Sequence, residues 1–221
     1  MFVGHYGVSF AAKKLALQIP LWLLFIAVQW LDVVWAPLIL LGVEKVRIVP
    51  GFTATNPLDL YYMPYTHSFV AALLWSAAAF VACRFVWRQA YRKGAFVVAG
   101  AVFSHWVLDF IVHRPDLPLY DNAAKVGLGL WNAPLVAFGL EIALLFGGMF
   151  LYFRSTGVAR RAPMIVFGLV MLVIQAYVFF GPPPTSDKAA AVTALVAYAI
   201  FALVVRFLEA TSRPAQTRLT T

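Results

Sequence analysis

The segment Ser104-His105-Trp106-Val107-Leu108-Asp109-Phe110-Ile111-Val112-His113 spaces two imidazoles and a carboxylate four residues apart. On a helix turning about 100° per residue, positions i, i+4 and i+8 fall within a sector of about 80°. His105, Asp109 and His113 therefore line one helical stripe, and these are the side chains that bind zinc and similar ions. The stripe lies in an apolar run of spanning length. Ionisable groups are expensive to bury in lipid, so a cluster of them there marks a functional site by default.

Other ionisable residues interrupt apolar stretches. Asp32 sits within Gln29-Trp30-Leu31-Asp32-Val33-Val34-Trp35. An ionised aspartate at a span centre costs about 2.5–3.5 kcal/mol on insertion scales, so Asp32 is either a protonated or paired acid bridging helices, or a metal ligand. His67 opens an apolar run in Tyr65-Thr66-His67-Ser68 and reads as an interfacial residue or as a ligand. Thr66 and Ser68 are candidate caps for that helix start. His5 lies in an N-terminal stretch that carries no other charged residue before Lys13-Lys14. Glu141, in Gly139-Leu140-Glu141-Ile142, is a base, a further ligand, an acid supporting a ligand, or a partner for a polar group on a neighbouring helix. Arg114, beside Asp116, is an interfacial anchor or a bidentate binder of an anionic substrate group. The tryptophans read mostly as an interfacial belt and lipid contact.

The elements that must position these residues are membrane spans. The chain has 221 residues, 63% hydrophobic and 12% charged, where average soluble domains carry about 25% charge. The expected fold is all-α, a multi-pass transmembrane helical bundle forming one membrane domain over residues 1–221. Six apolar segments approach the spanning length of about 20 residues: 15–43, 66–87, 95–112, 131–153, 162–180 and 187–208. The first holds Pro20 and Pro37 and is expected to tilt or kink. The 44–65 connection is the longest loop, with Pro50-Gly51 and Asn56-Pro57. The net charge of +8 fits basic cytoplasmic loops and contact with anionic lipid, and no basic run interleaved with aromatics suggests a nucleic-acid groove. Cys83 is the sole cysteine, which excludes an intrachain disulfide.

Basic residues alternate between loops. Lys13 and Lys14 precede the first span; Arg84, Arg88, Arg92 and Lys93 surround the second loop; Arg154, Arg160 and Arg161 fill the fourth; Arg206, Arg213 and Arg218 follow the sixth span. This alternation puts both termini in the cytoplasm. His67 then begins an inward span, while His105, Asp109 and His113 occupy the second half of an outward one. Both groups reach the outer half of the bilayer, and Asp32 approaches the same layer from midway along span one. Convergence of His and Asp from three helices at one depth points to a metal. Simple topology leaves His5 on the cytoplasmic side, unless residues 1–12 fold as a re-entrant half-helix, which is tolerated at membrane depth when packed in protein.

In their order along the chain, these pieces resemble the YdjM-like membrane-bound metal-dependent hydrolases of bacteria. The resemblance covers roughly residues 1–116 and rests on four short motifs. They are Gly4-His5 followed by small and apolar residues, Leu31-Asp32 at an apolar stretch, Thr66-His67-Ser68 opening a span, and Ser104-His105 through Asp109 on a span. It implies metal-binding roles for His5, Asp32, His67, His105 and Asp109. A more distant similarity to zinc-dependent phospholipase C extends that set to His113. The family's acidic motif has two aspartates followed by a histidine, and this chain has one aspartate. The family places another histidine five residues before the Thr-His-Ser histidine, and here that position is Tyr62. The later ligands of the phospholipase have no match after His113. On this likeness, residues 1–116 form the metal-site half, residues 117–221 are an additional helical half, and the setting is the bacterial cell membrane.

The resulting expectation is a metal-dependent hydrolase in which zinc activates a water to attack an ester, most plausibly a phosphoester of a lipid or amphiphile. An unligated Asp109 or Glu141 would serve as general base. Two other classes remain open: a cation or proton transporter using intramembrane Asp, His and Glu, and a non-catalytic membrane scaffold with a relic metal site.

Overall fold

The computed structural model describes residues 1–86, 92–158 and 160–212, so Trp87, Arg88, Arg213 and Arg218 lie outside the described residues. The chain is an all-α, multi-pass helical bundle with one small two-stranded sheet. Its helices are α1 (Val3–Lys13), α2 (Leu21–Val28), α3 (Trp30–Leu40), α4 (Phe69–Val86), α5 (Arg92–Val112), α6 (Pro134–Thr156), α7 (Ala162–Phe180) and α8 (Asp187–Ser212). Five of them, α4 to α8, are long and apolar enough to cross a membrane, and the bent pair α2–α3 makes up to a sixth span. Their outward faces carry large apolar side chains such as Leu74, Leu135, Val173 and Phe207, as a lipid environment requires.

The first predicted span departs from expectation. Residues 14–20 form turns, and the helix begins only after Pro20, whose φ of −58° suits the position ahead of a first turn. The kink falls at neither proline. It lies at Gln29, whose φ of −105° and ψ of 9° leave the helical region, and α2 and α3 meet there at 54°. The 44–65 loop holds an antiparallel hairpin of β1 (Lys45–Ile48) and β2 (Leu58–Tyr62). Arg47 opposes Asp59 across it, with Nε 2.6 Å from Oδ2.

The N-terminal segment forms a short helix, α1, packed in protein. α1 is buried against α6, α2 and α5. Its approach to α6 is backbone on backbone: a Cβ on Gly7 would stand 2.1 Å from the Leu144 carbonyl oxygen, and one on Gly148 would stand 2.0 Å from that of Gly7. Small residues of this kind let helices touch closely where apolar surface alone gives no preference between protein and lipid. An 11-residue helix buried in a bilayer must also satisfy its free N-terminal N–H groups. The intramembrane polar residues do this. Glu141 accepts from the Phe2 and Gly4 nitrogens, the latter at 2.9 Å, and Gln175 Oε1 accepts from Val3 at 3.4 Å. A carboxylate there also suits the positive end of the helix dipole. At the other end, Lys13 is buried, pairs with Glu209 of α8 at 2.7 Å and donates to the Ile19 carbonyl. Glu209 in turn accepts from the first N–H of α2, at Leu21. Met1 is buried beside Asp109, so the Lys13–Lys14 end of α1 is the end nearer the basic crevice lined by Lys14 and Arg154.

Candidate metal centre

Three helices and one turn bring the predicted residues together. His5 comes from α1, Asp32 from the first turn of α3, His67 from the turn preceding α4, and His105 and Asp109 from α5. His67 Nε2 lies 3.2 Å from Asp32 Oδ1 and 3.8 Å from Asp109 Oδ2. His105 Nε2 lies 3.7 Å from Asp32 Oδ1 and 3.1 Å from Asp109 Oδ2. These four atoms close a ring in which imidazole nitrogen and carboxylate oxygen alternate. His5 Nε2 approaches Asp109 from its other oxygen, 3.2 Å from Oδ1, and the His5 ring stacks on His105 with centroids 4.0 Å apart.

The outer hydrogen bonds of these residues decide what the ring atoms are. His105 Nδ1 lies 2.7 Å from the carbonyl of Val28, the last residue of α2 before the break. A carbonyl can only accept, so Nδ1 carries a proton, and in the neutral ring Nε2 presents a lone pair. His113 Nδ1 lies 2.8 Å from Asp116 Oδ1, and its Nε2 faces Asp109 Oδ2 at 3.8 Å. His67 Nδ1 is 2.8 Å from Thr66 Oγ1. Asp32 Oδ2 accepts from the Tyr198 hydroxyl at 2.7 Å, and Asp109 Oδ1 accepts from the Met1 nitrogen at 2.7 Å. Each aspartate thus spends one oxygen on a protein donor and turns the other into the ring. Outer partners of this sort are how proteins hold metal-ligating histidines and carboxylates in register.

The Met1 ammonium on Asp109 Oδ1 offsets one of the two carboxylate charges, and the remaining lone pairs and anionic oxygens pressed together in a buried place repel unless a further positive charge joins them. The parallel contact of His5 with His105 disfavours protonating both. Among the described residues, His105 Nε2 and both ring nitrogens of His5 are buried without a hydrogen-bond partner. Ligand atoms about 2.1 Å from one ion stand about 3.0 Å apart at right angles and about 3.4 Å apart at the tetrahedral angle. The ring sides of 3.1–3.8 Å reach that range with shifts of a few tenths of an ångström. These residues could hold a metal ion in either of two overlapping sets, Asp32–His67–His105 or His5–His105–Asp109. His105 Nε2 is common to both, and its other nitrogen is already engaged. Asp32 is the most open member, with 18% of its side chain exposed against 4% or less for the rest.

Other sequence candidates have different surroundings. Glu141 faces the start of α1 rather than the ring, as the partner of a polar group on a neighbouring helix. Arg114 lies over the Phe52 ring, 4.5 Å from its centroid. Ser68 caps α4 through Ala71 N at 3.1 Å. Trp106 is no belt residue: it is buried and donates its Nε1–H to the His67 carbonyl at 3.0 Å. Trp131 is also buried, against the His113 ring.

Sequence reasoning missed Tyr198 and Glu44. Tyr198 has no local signal, since nothing in α8 marks one tyrosine as facing a carboxylate. Glu44 is an isolated acid directly after an apolar span, a weak sign in itself. Its Oε1 accepts from the Tyr65 and Thr66 nitrogens at 2.8 and 3.0 Å, and its Oε2 from the Thr66 hydroxyl at 2.6 Å. Burial pushes the Glu44 carboxyl above its ordinary range, against the pull of His67 and of these hydrogen bonds. Comparisons with protein-family models, with curated proteins and with solved structures find no match for the chain.

Proposed function

We propose that this membrane protein is a metal-dependent hydrolase that holds a divalent cation, zinc by the character of its ligands, and cleaves an ester or phosphoester of an amphiphile. The observation that carries the reading is the buried ring of alternating imidazole and carboxylate acceptors, each turned inward by an outer hydrogen bond. Mixed histidine and carboxylate ligands without cysteine belong to hydrolytic rather than structural zinc sites, and three protein ligands leave a position open for substrate or water. The set Asp32, His67 and His105 has that count, and its exposed member is Asp32. When bound, such an ion supplies Lewis acidity toward an ester or phosphoryl oxygen and eases removal of a proton from water. With that set holding the ion, Asp109 would be the unligated carboxylate beside it and would take the proton through Oδ2. His5 and His113 flank Asp109 and fix its charge and orientation. Glu141 acts at a distance by seating α1. The resemblance to the YdjM-like hydrolases supports the reaction class, and the spans supply the lipid surroundings of an amphiphilic substrate. The alternating basic loops support a bacterial inner-membrane orientation with Lys14 and Arg154 toward the cytoplasm.

Incubation of the purified protein with mixed phospholipid and diacyl ester micelles tests this directly. Metal-dependent release of a headgroup or acid product that disappears in His105→Ala is expected. Absence of product from the zinc-loaded protein across both substrate classes contradicts a hydrolytic role.

A second reading rests on the same ring, since a proton can supply the positive charge that its acceptors require. A transporter of protons or cations would show flux in proteoliposomes and form no product from lipid.

A further inference from the structure

We infer that Glu44 determines which nitrogen of His67 carries the imidazole proton, acting through the hydroxyl of Thr66. The polarity of the chain of hydrogen bonds gives the reason. A carboxylate has no proton to donate, and Glu44 is buried with three donors on it: the Tyr65 and Thr66 N–H groups on Oε1 and the Thr66 O–H on Oε2. The Thr66 hydroxyl has a single proton, and it is spent on Glu44. Toward His67 Nδ1, 2.8 Å away, Oγ1 can only accept. Nδ1 must therefore carry the imidazole proton, and Nε2 is left as a lone pair aimed at Asp32 and Asp109.

His67 differs in this from the other two histidines whose Nδ1 is held. His105 is held by a carbonyl and His113 by a carboxylate, and both of those groups only accept. His67 is held by a hydroxyl, which both donates and accepts. Its tautomer is fixed only because Glu44 fixes the direction of that hydroxyl. Glu44 lies just beyond α3, which carries Asp32, and it binds the turn that carries His67. The residue that orients one ligand is thereby tied to the helix that bears its neighbour.

Glu44 is a positioning residue in this account, and its effect on metal affinity rests on the ring being a metal site, while its effect on the tautomer does not. Glu44→Gln keeps an oxygen for the two backbone N–H groups but turns an N–H toward Thr66. The hydroxyl then donates to His67 Nδ1, and the imidazole proton moves to Nε2, where it meets Asp32. Thr66→Val removes the relay outright, with the same expected tautomer, because Nε2–H still finds Asp32 Oδ1 while Nδ1–H has lost its acceptor. Thr66→Ser retains the hydroxyl.

Long-range proton–nitrogen NMR of the histidine-labelled, chelator-treated full chain in detergent, at mildly alkaline pH, reads the tautomer without metal. Zinc competition against a chromophoric chelator reads the affinity. Wild type and Thr66→Ser are expected to show His67 protonated at Nδ1. Glu44→Gln and Thr66→Val are expected to show it protonated at Nε2, with zinc affinity lower by about 10- to 100-fold, the usual effect of losing an outer partner of a metal-bound histidine. Should Glu44→Gln fail to fold, Thr66→Val decides alone. His67 remaining protonated at Nδ1 in the folded variants, with zinc affinity unchanged, overturns the inference. A wild-type protein that binds no zinc but shows the tautomer exchange removes the metal reading and upholds the role of Glu44.

Discussion

Adjacent glycines on α6 offer a sharp test of how α1 is seated. A Cβ on Gly148 would stand 2.0 Å from the Gly7 carbonyl oxygen, whereas one on Gly147 meets nothing within 4 Å. Ordinary contact begins near 3.4 Å, so Gly148→Ala forces the α1 backbone away by about 1.4 Å. α1 is the element that yields, because it is a half-helix of 11 residues while α6 has 23 and is long enough to cross the membrane. His5 is two residues before Gly7. If the whole shift separates it from the ring, His5 Nε2 moves from 3.2 Å to about 4.6 Å from Asp109 Oδ1, beyond any shared contact. Overpacking a tight contact costs about 1–3 kcal/mol, and binding of the ion by the His5–His105–Asp109 set must re-impose that strain, so affinity for that set falls by about 5- to 150-fold, whereas binding by Asp32, His67 and His105 is spared. The assays are thermal unfolding in detergent and zinc competition, with Gly147→Ala alongside. Gly147→Ala is expected to behave as wild type, or to be slightly more stable through its better helix propensity. Equal behaviour of the two alanine variants would refute the backbone contact and the seating of His5 that depends on it.

Three further outcomes follow from the polar residues around α1 and the ring. Glu141→Leu leaves the Phe2 and Gly4 N–H groups without their acceptor, and thermal unfolding should show a loss of about 1–3 kcal/mol per group, with Glu141→Gln recovering part of it. Lys13→Met breaks a buried pair and leaves Glu209 charged; the expected loss is about 3–5 kcal/mol, and the double variant with Glu209→Gln should be less impaired than Lys13→Met alone. Tyr198→Phe removes the donor on Asp32 Oδ2, a hydrogen bond to a charged group worth about 1.5–3 kcal/mol, and zinc competition should show affinity lowered by at least tenfold with the fold intact.

The spans were legible because lipid imposes the same demand on every residue of a span. The predicted segments 95–112, 131–153, 162–180 and 187–208 fall on α5, α6, α7 and α8, offset by a few residues at their ends. The i, i+4, i+8 stripe likewise put His105 and Asp109 on one face of α5, with His113 one residue past its end and still facing Asp109, and Asp32 and His67 meet it from their own elements. The break at Gln29 was not legible, since both prolines in that span drew attention elsewhere. The break matters chemically, because the Val28 carbonyl beside it holds His105. His5 could not be placed from local pattern, because its position depends on Gly7 meeting Gly148, a contact between residues 141 positions apart. Glu44 was hidden for a similar reason: its partners lie across a hairpin that read as an irregular loop. Glu141 stood out as a polar residue in lipid, and in the structure it serves the first turn of α1 together with Gln29 and Gln175, which the sequence reading passed over.

The central claim is that the ring holds a divalent metal through His105. Elemental analysis of the full chain, purified without chelator and after zinc loading, with His105→Ala and Asp32→Asn beside it, tests that claim most directly. Stoichiometric metal in the wild type, absent from His105→Ala and reduced in Asp32→Asn, is the predicted result. A wild-type protein free of metal after loading, or a His105→Ala variant that retains stoichiometric zinc, would contradict it.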